Sequence, residues 1–297
     1  MNHPAELAVH SFLQKVMLGK ANVDGAILDL VAKDVRESLD RQFSGGKREF
    51  KLRMSNIGRK KCQLWFDKNS PEDRLPDSPF FIINMILGDI IEAVFKGLLR
   101  ASDVKFDDSD KVTLKLSDSE VDGSYDMVMN GKVDDVKSAS PWSYENKFTD
   151  FATLSSKDSF GYVAQLVGYA KAKGVPVGGW WVINKANGNF KYVSAEDVDM
   201  DAELEKIQET VSYINDGGAF ERCYEPIEET YYGKPSGNLK LGVECSLCNY
   251  REKCWDDLEV LPSKVSKSSN PPLVNYVYLA NAQDTVPVFV ESAVKYA

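Results

Sequence analysis

The segment GSYDMVMNGKVDDVKSAS, residues 123–140, carries two strand-like runs on either side of an Asn-Gly pair at 130–131. Asn-Gly is the strongest short-range signal for a two-residue hairpin turn. A turn at this pair places Met129 opposite Lys132 and so fixes the register of the two strands. The segment therefore predicts an antiparallel β-hairpin.

Two carboxylates and one ammonium group fall on the same face of this hairpin. Counting outward from the turn places Asp126 opposite Asp135, and Lys137 follows two residues later on the same face. Two carboxylates about 5 Å apart repel by about 3 kcal/mol at an effective dielectric of 20. A divalent cation between them would reverse the sign of this energy. The alternative is an exposed hairpin whose two aspartates face water.

The composition is that of an ordinary globular protein, with 297 residues, 43% hydrophobic and 27% charged. No apolar run is long enough to span a membrane and the N-terminus lacks a signal-peptide core, so we expect a cytoplasmic protein without a membrane partner. The net charge of −9 argues against a basic coat over the whole surface. A local basic groove for DNA or, alternatively, a solvated helix face is indicated at Arg53, Ser55, Arg59, Lys60 and Lys61.

Five cysteines and only two histidines leave thiolates and carboxylates as the metal ligands of this chain. Cys245, Cys248 and Cys254 are spaced C-x2-C-x5-C, which in an intracellular protein favours a metal site over disulfides. Thiolates suit an iron–sulfur cluster or Zn²⁺, and either takes four ligands. Three clustered thiolates with one distant thiolate fit an iron–sulfur cluster better than the paired spacing of zinc sites. The fourth ligand would be Cys62 or Cys223.

Apolar periodicity and alternation divide the chain into elements. Helices are predicted at 4–42, 55–66 with Ser55 as N-cap, 80–100, 159–173 and 201–216. Strands are predicted at 111–137, 178–184 and in FKYVSA, and the β-prone runs YVYLA and VPVFV follow a linker at 262–272. This order predicts an α/β fold with a mixed central sheet flanked by helices.

Two of the predicted helices carry polar side chains in notable positions. Glu92 lies among apolar residues of the helix at 80–100, so it is either at the edge of the buried stripe or inside a site. Gln165 and Tyr169 are four residues apart on the helix at 159–173 and therefore share a face.

Taken in their order along the chain, these motifs resemble those of the PD-(D/E)XK nuclease superfamily over roughly residues 50–260. They resemble in particular its RecB-like branch with an iron–sulfur cluster, which includes CRISPR-associated exonucleases and the nuclease domains of AddB-type helicase–nucleases. RecB-like members usually carry His four residues after the glycine of the first motif, where this chain has Glu92 after Gly88; other branches use Glu there. The matching residues are Glu92 in LGDIIEAVF, Asp126 in GSYD, Asp135-Val136-Lys137, Gln165 and Tyr169 in QLVGY, and Cys62 with Cys245, Cys248 and Cys254.

The resemblance implies a hydrolytic metal site and a cluster. Lys137 would orient the attacking water or stabilise charge in the transition state, while Gln165 and Tyr169 would steady the site or contact the strand. The ligands of Mg²⁺ or Mn²⁺ would be Glu92, Asp126, Asp135 and the backbone carbonyl of Val136. The ligands of a [4Fe-4S] cluster, or alternatively of structural Zn²⁺, would be Cys62, Cys245, Cys248 and Cys254.

The resemblance also implies a domain plan and an activity. An N-terminal helical region at 1–50 would precede a nuclease domain at 51–260 with an iron–sulfur segment, and a linker with a β-prone tail would fill 261–297. The expected activity is that of a metal-dependent DNA exonuclease on single strands or DNA ends, in recombination, repair, a phage or a CRISPR system. A structure-specific endonuclease and a non-catalytic iron–sulfur module that binds DNA or a partner are the alternatives. A homo-oligomer, a recombination or CRISPR protein as partner, and a phage-encoded protein in the host cytoplasm stay open.

Overall fold

The computed structural model describes residues 3–44 and 49–280, so the predicted run VPVFV lies outside the described residues. The helices are α1 Pro4–Met17, α2 Gly25–Phe43, α3 Lys61–Asn69, α4 Pro79–Ala101, α5 Pro141–Asn146, α6 Phe151–Ser156, α7 Tyr162–Lys173, α8 Met200–Asn215, α9 Val243–Ser246 and α10 Arg251–Cys254. The strands are β1 Asp107–Lys115, β2 Glu120–Met129, β3 Lys132–Ala139, β4 Val177–Asn184, β5 Phe190–Ser194, β6 Ile227–Tyr231, β7 Lys234–Lys240, β8 Glu259–Pro262 and β9 Leu273–Tyr278.

These elements form two compact units that are interleaved along the chain. The first unit combines the described chain up to Arg59 with Asp77–Gly218, and the second combines Lys60–Pro76 with the described chain from Ala219 onward. The domain plan predicted from the sequence has three contiguous segments, with boundaries near residues 50 and 260. The structure thus adds that a short stretch around α3 groups with the C-terminal elements.

The first unit is built on a five-stranded mixed sheet with the strand order β1-β2-β3-β4-β5. The pair β3–β4 is parallel, and the other three neighbouring pairs are antiparallel. Helices flank this sheet, so the predicted α/β class with a mixed sheet is confirmed.

The hairpin between β2 and β3 forms as the sequence predicts. Asn130 and Gly131 have φ values of 52° and 74°, the left-handed conformation that a two-residue type I′ turn requires. Met129 pairs with Lys132, which is the predicted register. The local turn chemistry therefore decides which side chains of β2 and β3 share a face.

Helices α1 and α4 cover one face of the sheet. Met127, Val136 and Trp181 point from β2, β3 and β4 into a buried cluster, where they meet Val9 of α1 and Phe95 of α4. Because successive side chains of a strand alternate between faces, Asp135 and Lys137 point to the opposite face, where α7 contacts β3. The alternation places a polar pair beneath α7.

Helix α4 is the longest helix and carries much of this core. Its N-terminal residue Pro79 follows Ser78, whose side chain accepts a hydrogen bond from the amide of Phe80.

No helix in the described parts of the chain is both long enough and apolar enough to cross a membrane.

The predicted helix at 55–66 is wrong at its start. The helix, α3, begins at Lys61, and the predicted N-cap Ser55 lies in a turn. The side chain of Asn56 accepts a hydrogen bond from the amide of Arg53, at 2.8 Å, which stabilises the turn instead of a helix. Likewise, the region predicted as helical at 4–42 is two helices, because the chain breaks after α1.

The second unit contains an antiparallel sheet with the strand order β6-β7-β9-β8. The predicted β-prone run YVYLA begins in β9, where Tyr276 is buried. Tyr276 and Asn238 donate hydrogen bonds to the buried carboxylate of Glu229, at 2.7 and 3.0 Å. Helices α3, α9 and α10 of this unit bear three of the five cysteines, and Cys248 lies between α9 and α10.

Candidate functional site

The carboxylate of Asp126 lies where the ladder between β2 and β3 ends. The last backbone pair is Met127 with Asp134. Beyond this pair, the amide of Val136 donates a hydrogen bond to Oδ2 of Asp126, at 2.8 Å. The side chain of Asp126 thus bridges to β3, and its pKa responds directly to the charge of Asp135.

Lys137 is held by contacts from two elements. Its Nζ lies 2.7 Å from Oδ2 of the buried Asp135 and donates a hydrogen bond to Oε1 of Gln165, at 3.1 Å. Gln165 in turn donates through Nε2 to the hydroxyl of Tyr169, at 3.2 Å. The structure therefore brings four of the predicted site residues into one connected chain.

Glu92 reaches the same charged cluster from α4. The charge of Asp126 acts on Glu92, and the charge of Glu92 acts on Asp135. Oε1 of Glu92 also lies 2.7 Å from Nζ of Lys96, a lysine that is only 4% exposed. Asp89, which precedes Glu92 by nearly one turn, instead accepts hydrogen bonds from Arg41 of α2, at 2.9 Å, and from its neighbour Gln42. Glu92 is therefore the acidic residue of α4 that belongs to the cluster.

Burial and mutual repulsion raise the pKa of each carboxyl group in this cluster. Burial, followed by the charge of Asp126, raises the pKa of Glu92 to about 7. Burial, followed by the charge of Asp135, raises the pKa of Asp126 to about 6, and burial also raises the pKa of Asp135. Although burial opposes it, the charges of Asp135 and Asp126 hold the pKa of Lys137 above its ordinary value. Lys137 consequently stays protonated and donates hydrogen bonds.

The donor set of this cluster suits a hard divalent cation. Carboxylate oxygens are the ligands that Mg²⁺ and Mn²⁺ prefer. The buried Oδ2 of Asp135 has no aligned hydrogen-bond donor among the described residues, although Nζ of Lys137 is near. Within the described chain, no group of three or more His, Cys, Asp or Glu residues has the arrangement of a formed metal site. In this arrangement the ammonium groups of Lys96 and Lys137 lie beside Glu92 and Asp135, so two ammonium groups face three carboxyl groups.

All five cysteines line one cavity of the second unit. The cavity walls also include Phe66, Tyr224 and Trp255. The amide of Cys62 donates a hydrogen bond to Sγ of Cys223, at 3.2 Å, so both candidates for the fourth ligand lie at the same place. Thiols in this number are the ligand type that a zinc ion or an iron–sulfur cluster takes.

The five basic or polar residues predicted to contact DNA are divided between the two units. Arg53, Ser55 and Arg59 are exposed in the first unit. Lys60 and Lys61 belong to the second unit. A role for these residues in DNA binding stays a prediction.

Two residues at these sites were not assigned to them from the sequence. Lys96 has a recognisable signal, since it follows Glu92 by four residues on a helix and this spacing favours an ion pair. From the sequence, Cys223 is only an alternative to Cys62 as the fourth thiolate ligand, because no other cysteine lies close to it in the sequence. Its position at the cavity depends on the folding of the second unit.

Comparisons with known proteins leave the family of the chain open. No protein-family model matches it, and no curated protein matches it. One solved structure that matches is described as "Crystal structure of SSO0001". The two chains are 14% identical with a TM-score of 0.40, and the match covers 77% of this chain and 96% of that chain. A likeness at this level does not assign a function.

Proposed function

We propose that this protein is a Mg²⁺- or Mn²⁺-dependent deoxyribonuclease of the PD-(D/E)XK type that digests single-stranded DNA or DNA ends. The observation that carries the proposal is the cluster of Glu92, Asp126 and Asp135 beside Lys137, which the hairpin and α4 bring together. Paired one to one, the ammonium groups of Lys96 and Lys137 would need only two carboxylates, whereas the cluster contains three. The surplus of buried acid is typical of a site that binds a cation.

Each residue of the cluster has a role in this proposal. Glu92, Asp126 and Asp135, with the backbone carbonyl of Val136, would hold the metal ion, which when bound polarises a phosphodiester and acidifies a water molecule. Lys137, whose pKa the charges of Asp135 and Asp126 hold above its ordinary value, would orient the attacking water and stabilise negative charge on the phosphate oxygens. Gln165 keeps the ammonium group of Lys137 in place through its hydrogen bond.

The proposal gives the cysteine cavity a structural role. A [4Fe-4S] cluster, or structural Zn²⁺ as the alternative, would be held by Cys62, Cys245, Cys248 and Cys254. A bound cluster would join α3 to the segment with α9 and α10, which are far apart in the sequence, and would thereby stabilise the second unit. The DNA partner, the cytoplasmic location and a context in recombination, repair, phage growth or CRISPR systems are parts of the same proposal.

The test is cleavage of linear single-stranded DNA labelled at either end, with Mg²⁺, Mn²⁺ or excess chelator. Asp135→Asn and Lys137→Ala are expected to lower the cleavage rate by about 100-fold or more, because each removes a group that acts on the transition state. Asp122→Asn is the matched control, since Asp122 is an exposed carboxylate of strand β2 that pairs with Lys51. Equal cleavage by all three variants would contradict the proposal.

Circular single-stranded DNA separates the two modes of cleavage. An exonuclease leaves this substrate intact because the substrate has no ends. Rapid cutting of the circle with the same metal and residue dependence would assign an endonuclease on this scaffold.

A further inference from the structure

One exposed aromatic ring lies close to the charged cluster of the first unit. Phe160 is 59% exposed, and its ring stacks on the ring of Tyr162, with centroids 5.6 Å apart and planes inclined by 13°. Nζ of Lys137 lies 5.0 Å from the centroid of Tyr162. Tyr162 therefore connects the lysine of the D-x-K motif to an aromatic ring that faces solvent.

A second lysine lies close to both rings. Nζ of Lys147 lies 4.5 Å from the centroid of Tyr162 and 5.0 Å from that of Phe160. Arg59 also exerts its charge on Tyr162. An acid close to Lys147 is Asp158, with 3.8 Å between Nζ and Oδ1. Lys147 is only 6% exposed and burial lowers its pKa, so the exposed cation beside the aromatic pair that can attract a phosphate is Arg59.

The loop that carries Phe160 is fixed by hydrogen bonds and by a close backbone contact. The carboxylate of Asp158 accepts hydrogen bonds from the amides of Gly161, at 3.0 Å, and Val163, at 2.9 Å. Gly161 adopts a φ of 78° and packs so closely on Gly58 that a Cβ atom at either position would overlap the other backbone. The backbone that carries the exposed ring is therefore fixed before any ligand binds, which reduces the entropy lost on binding.

We propose that Phe160 is a stacking platform for an unpaired nucleobase of a single-stranded nucleic acid. The inference rests on the proposed nuclease function and deepens it, because it names the residue that would bind an unpaired base and favours single strands over duplex ends. A base on the solvent face of Phe160 would extend the stack with Tyr162, and its phosphodiester would be attracted by the exposed Arg59 and by Lys137 at the charged cluster. In a duplex both faces of a base are already covered by its neighbours, so the platform favours single strands.

The test measures binding apart from cleavage. The parent protein is Asp135→Asn, which the proposed function predicts to be inactive, and Asp126→Asn is the second parent if the first does not fold. The probe is a fluorescein-labelled single-stranded DNA oligonucleotide, followed by anisotropy, beside the same sequence as RNA and as a DNA duplex. A 2-aminopurine base in the strand reports stacking directly through quenching of its fluorescence.

Four substitutions are compared in the parent. Phe160→Ala and Phe160→Leu are expected to weaken single-strand binding about tenfold and to reduce quenching of 2-aminopurine, because stacking of one base is lost. Phe160→Trp is expected to keep both signals. Phe43→Ala is the control, since Phe43 is 66% exposed in the same unit but is not part of the aromatic stack.

Failure of this inference is distinguishable from failure of the nuclease function. Unchanged binding by Phe160→Ala, or full affinity in Phe160→Leu, would overturn the stacking platform even if the wild-type protein cleaves DNA. Absence of single-strand binding by the folded parent would also overturn it. Tight binding that depends on Phe160, without any metal-dependent cleavage by the wild-type protein, would support the platform and reject the nuclease.

Discussion

The amide of Val136 donates its hydrogen bond to the side-chain carboxylate of Asp126 rather than to a backbone carbonyl of the neighbouring strand. This bond fixes one acid at the point where β2 and β3 stop pairing. The bond favours the ionised form of Asp126, whereas burial and the charge of Asp135 oppose it, so the pKa of Asp126 is about 6. The hairpin thus presents an acid that a nearby cation would keep ionised at neutral pH.

The first prediction is that metal-free protein loses stability between about pH 4 and pH 7. The pKa values of Glu92 and Asp126 are raised to about 7 and about 6, so the folded state binds more protons than the unfolded state in this range. Stability therefore falls as the pH rises through these values. The Asp126→Asn variant lacks one of these ionisations. Its stability relative to the wild type is expected to improve by about 1 kcal/mol from pH 5 to pH 7.5, because the carboxyl group of Asp126 is already ionised in the unfolded chain at pH 5 and ionises in the folded chain near pH 6.

The measurement is thermal unfolding of both proteins at a series of pH values, with chelator and with Mn²⁺. In the wild type, Mn²⁺ is expected to raise the melting temperature more at pH 7.5 than at pH 5, because ionised carboxylates bind the cation. A pH-independent difference between the wild type and Asp126→Asn would mean that Asp126 titrates normally.

The second prediction concerns the chain from Lys137 through Gln165 to Tyr169. Gln165→Ala is expected to lower kcat about tenfold with little change in KM, because Gln165 positions Lys137 rather than binding the metal. Tyr169→Phe removes a hydroxyl one bond further away, and the loss of one neutral hydrogen bond is expected to lower kcat about fivefold or less. Steady-state kinetics on single-stranded DNA give both values. A larger effect of Tyr169→Phe than of Gln165→Ala would place Tyr169 directly at the substrate.

The local part of this site could be predicted from the sequence. The Asn-Gly turn at 130–131 requires left-handed backbone at both residues, and that requirement alone set the register of Met129 and Lys132. The same alternation predicted that Lys137 lies on the face of Asp135. Such inferences succeed because each depends on residues only a few positions apart.

The long-range part could not be derived in the same way. The parallel pairing of Asp135 with Trp180 joins segments separated by helices and loops, and no local pattern encodes it. The turn before α3 was misread as helix because Ser55 is a good N-cap by type. The turn is stabilised locally by the hydrogen bond from the amide of Arg53 to the side chain of Asn56. It is also stabilised by the backbone contact of Gly58 with Gly161, which lies in a distant part of the chain.

The third prediction distinguishes the two candidates for the fourth thiolate. Cys62→Ser is expected to yield colourless protein with little iron, whereas Cys223→Ser is expected to keep its iron and an absorption shoulder near ~400 nm. The two positions are a matched pair, because both line the cavity and the amide of Cys62 contacts Sγ of Cys223. Iron, sulfide and zinc analysis of protein purified without oxygen gives the answer. Loss of metal in Cys223→Ser alone would make Cys223 the ligand.

The fourth prediction concerns the backbone contact between Gly161 and Gly58. Gly161→Ala is expected to destabilise the protein by at least about 2 kcal/mol, because its φ of 78° strains an alanine and the new Cβ would overlap the backbone of Gly58. Gly188→Ala is the matched control, since Gly188 has a φ of 76° and nothing within 4 Å of a Cβ atom. Thermal and denaturant unfolding measure the free energy of unfolding of both variants. Gly188→Ala reports the cost of backbone strain alone, and the additional loss in Gly161→Ala reports the cost of the overlap between the new Cβ and the backbone of Gly58. Equal destabilisation of the two variants would show that the loop carrying Phe160 yields readily, and the ring would then lack the fixed position on which base stacking depends.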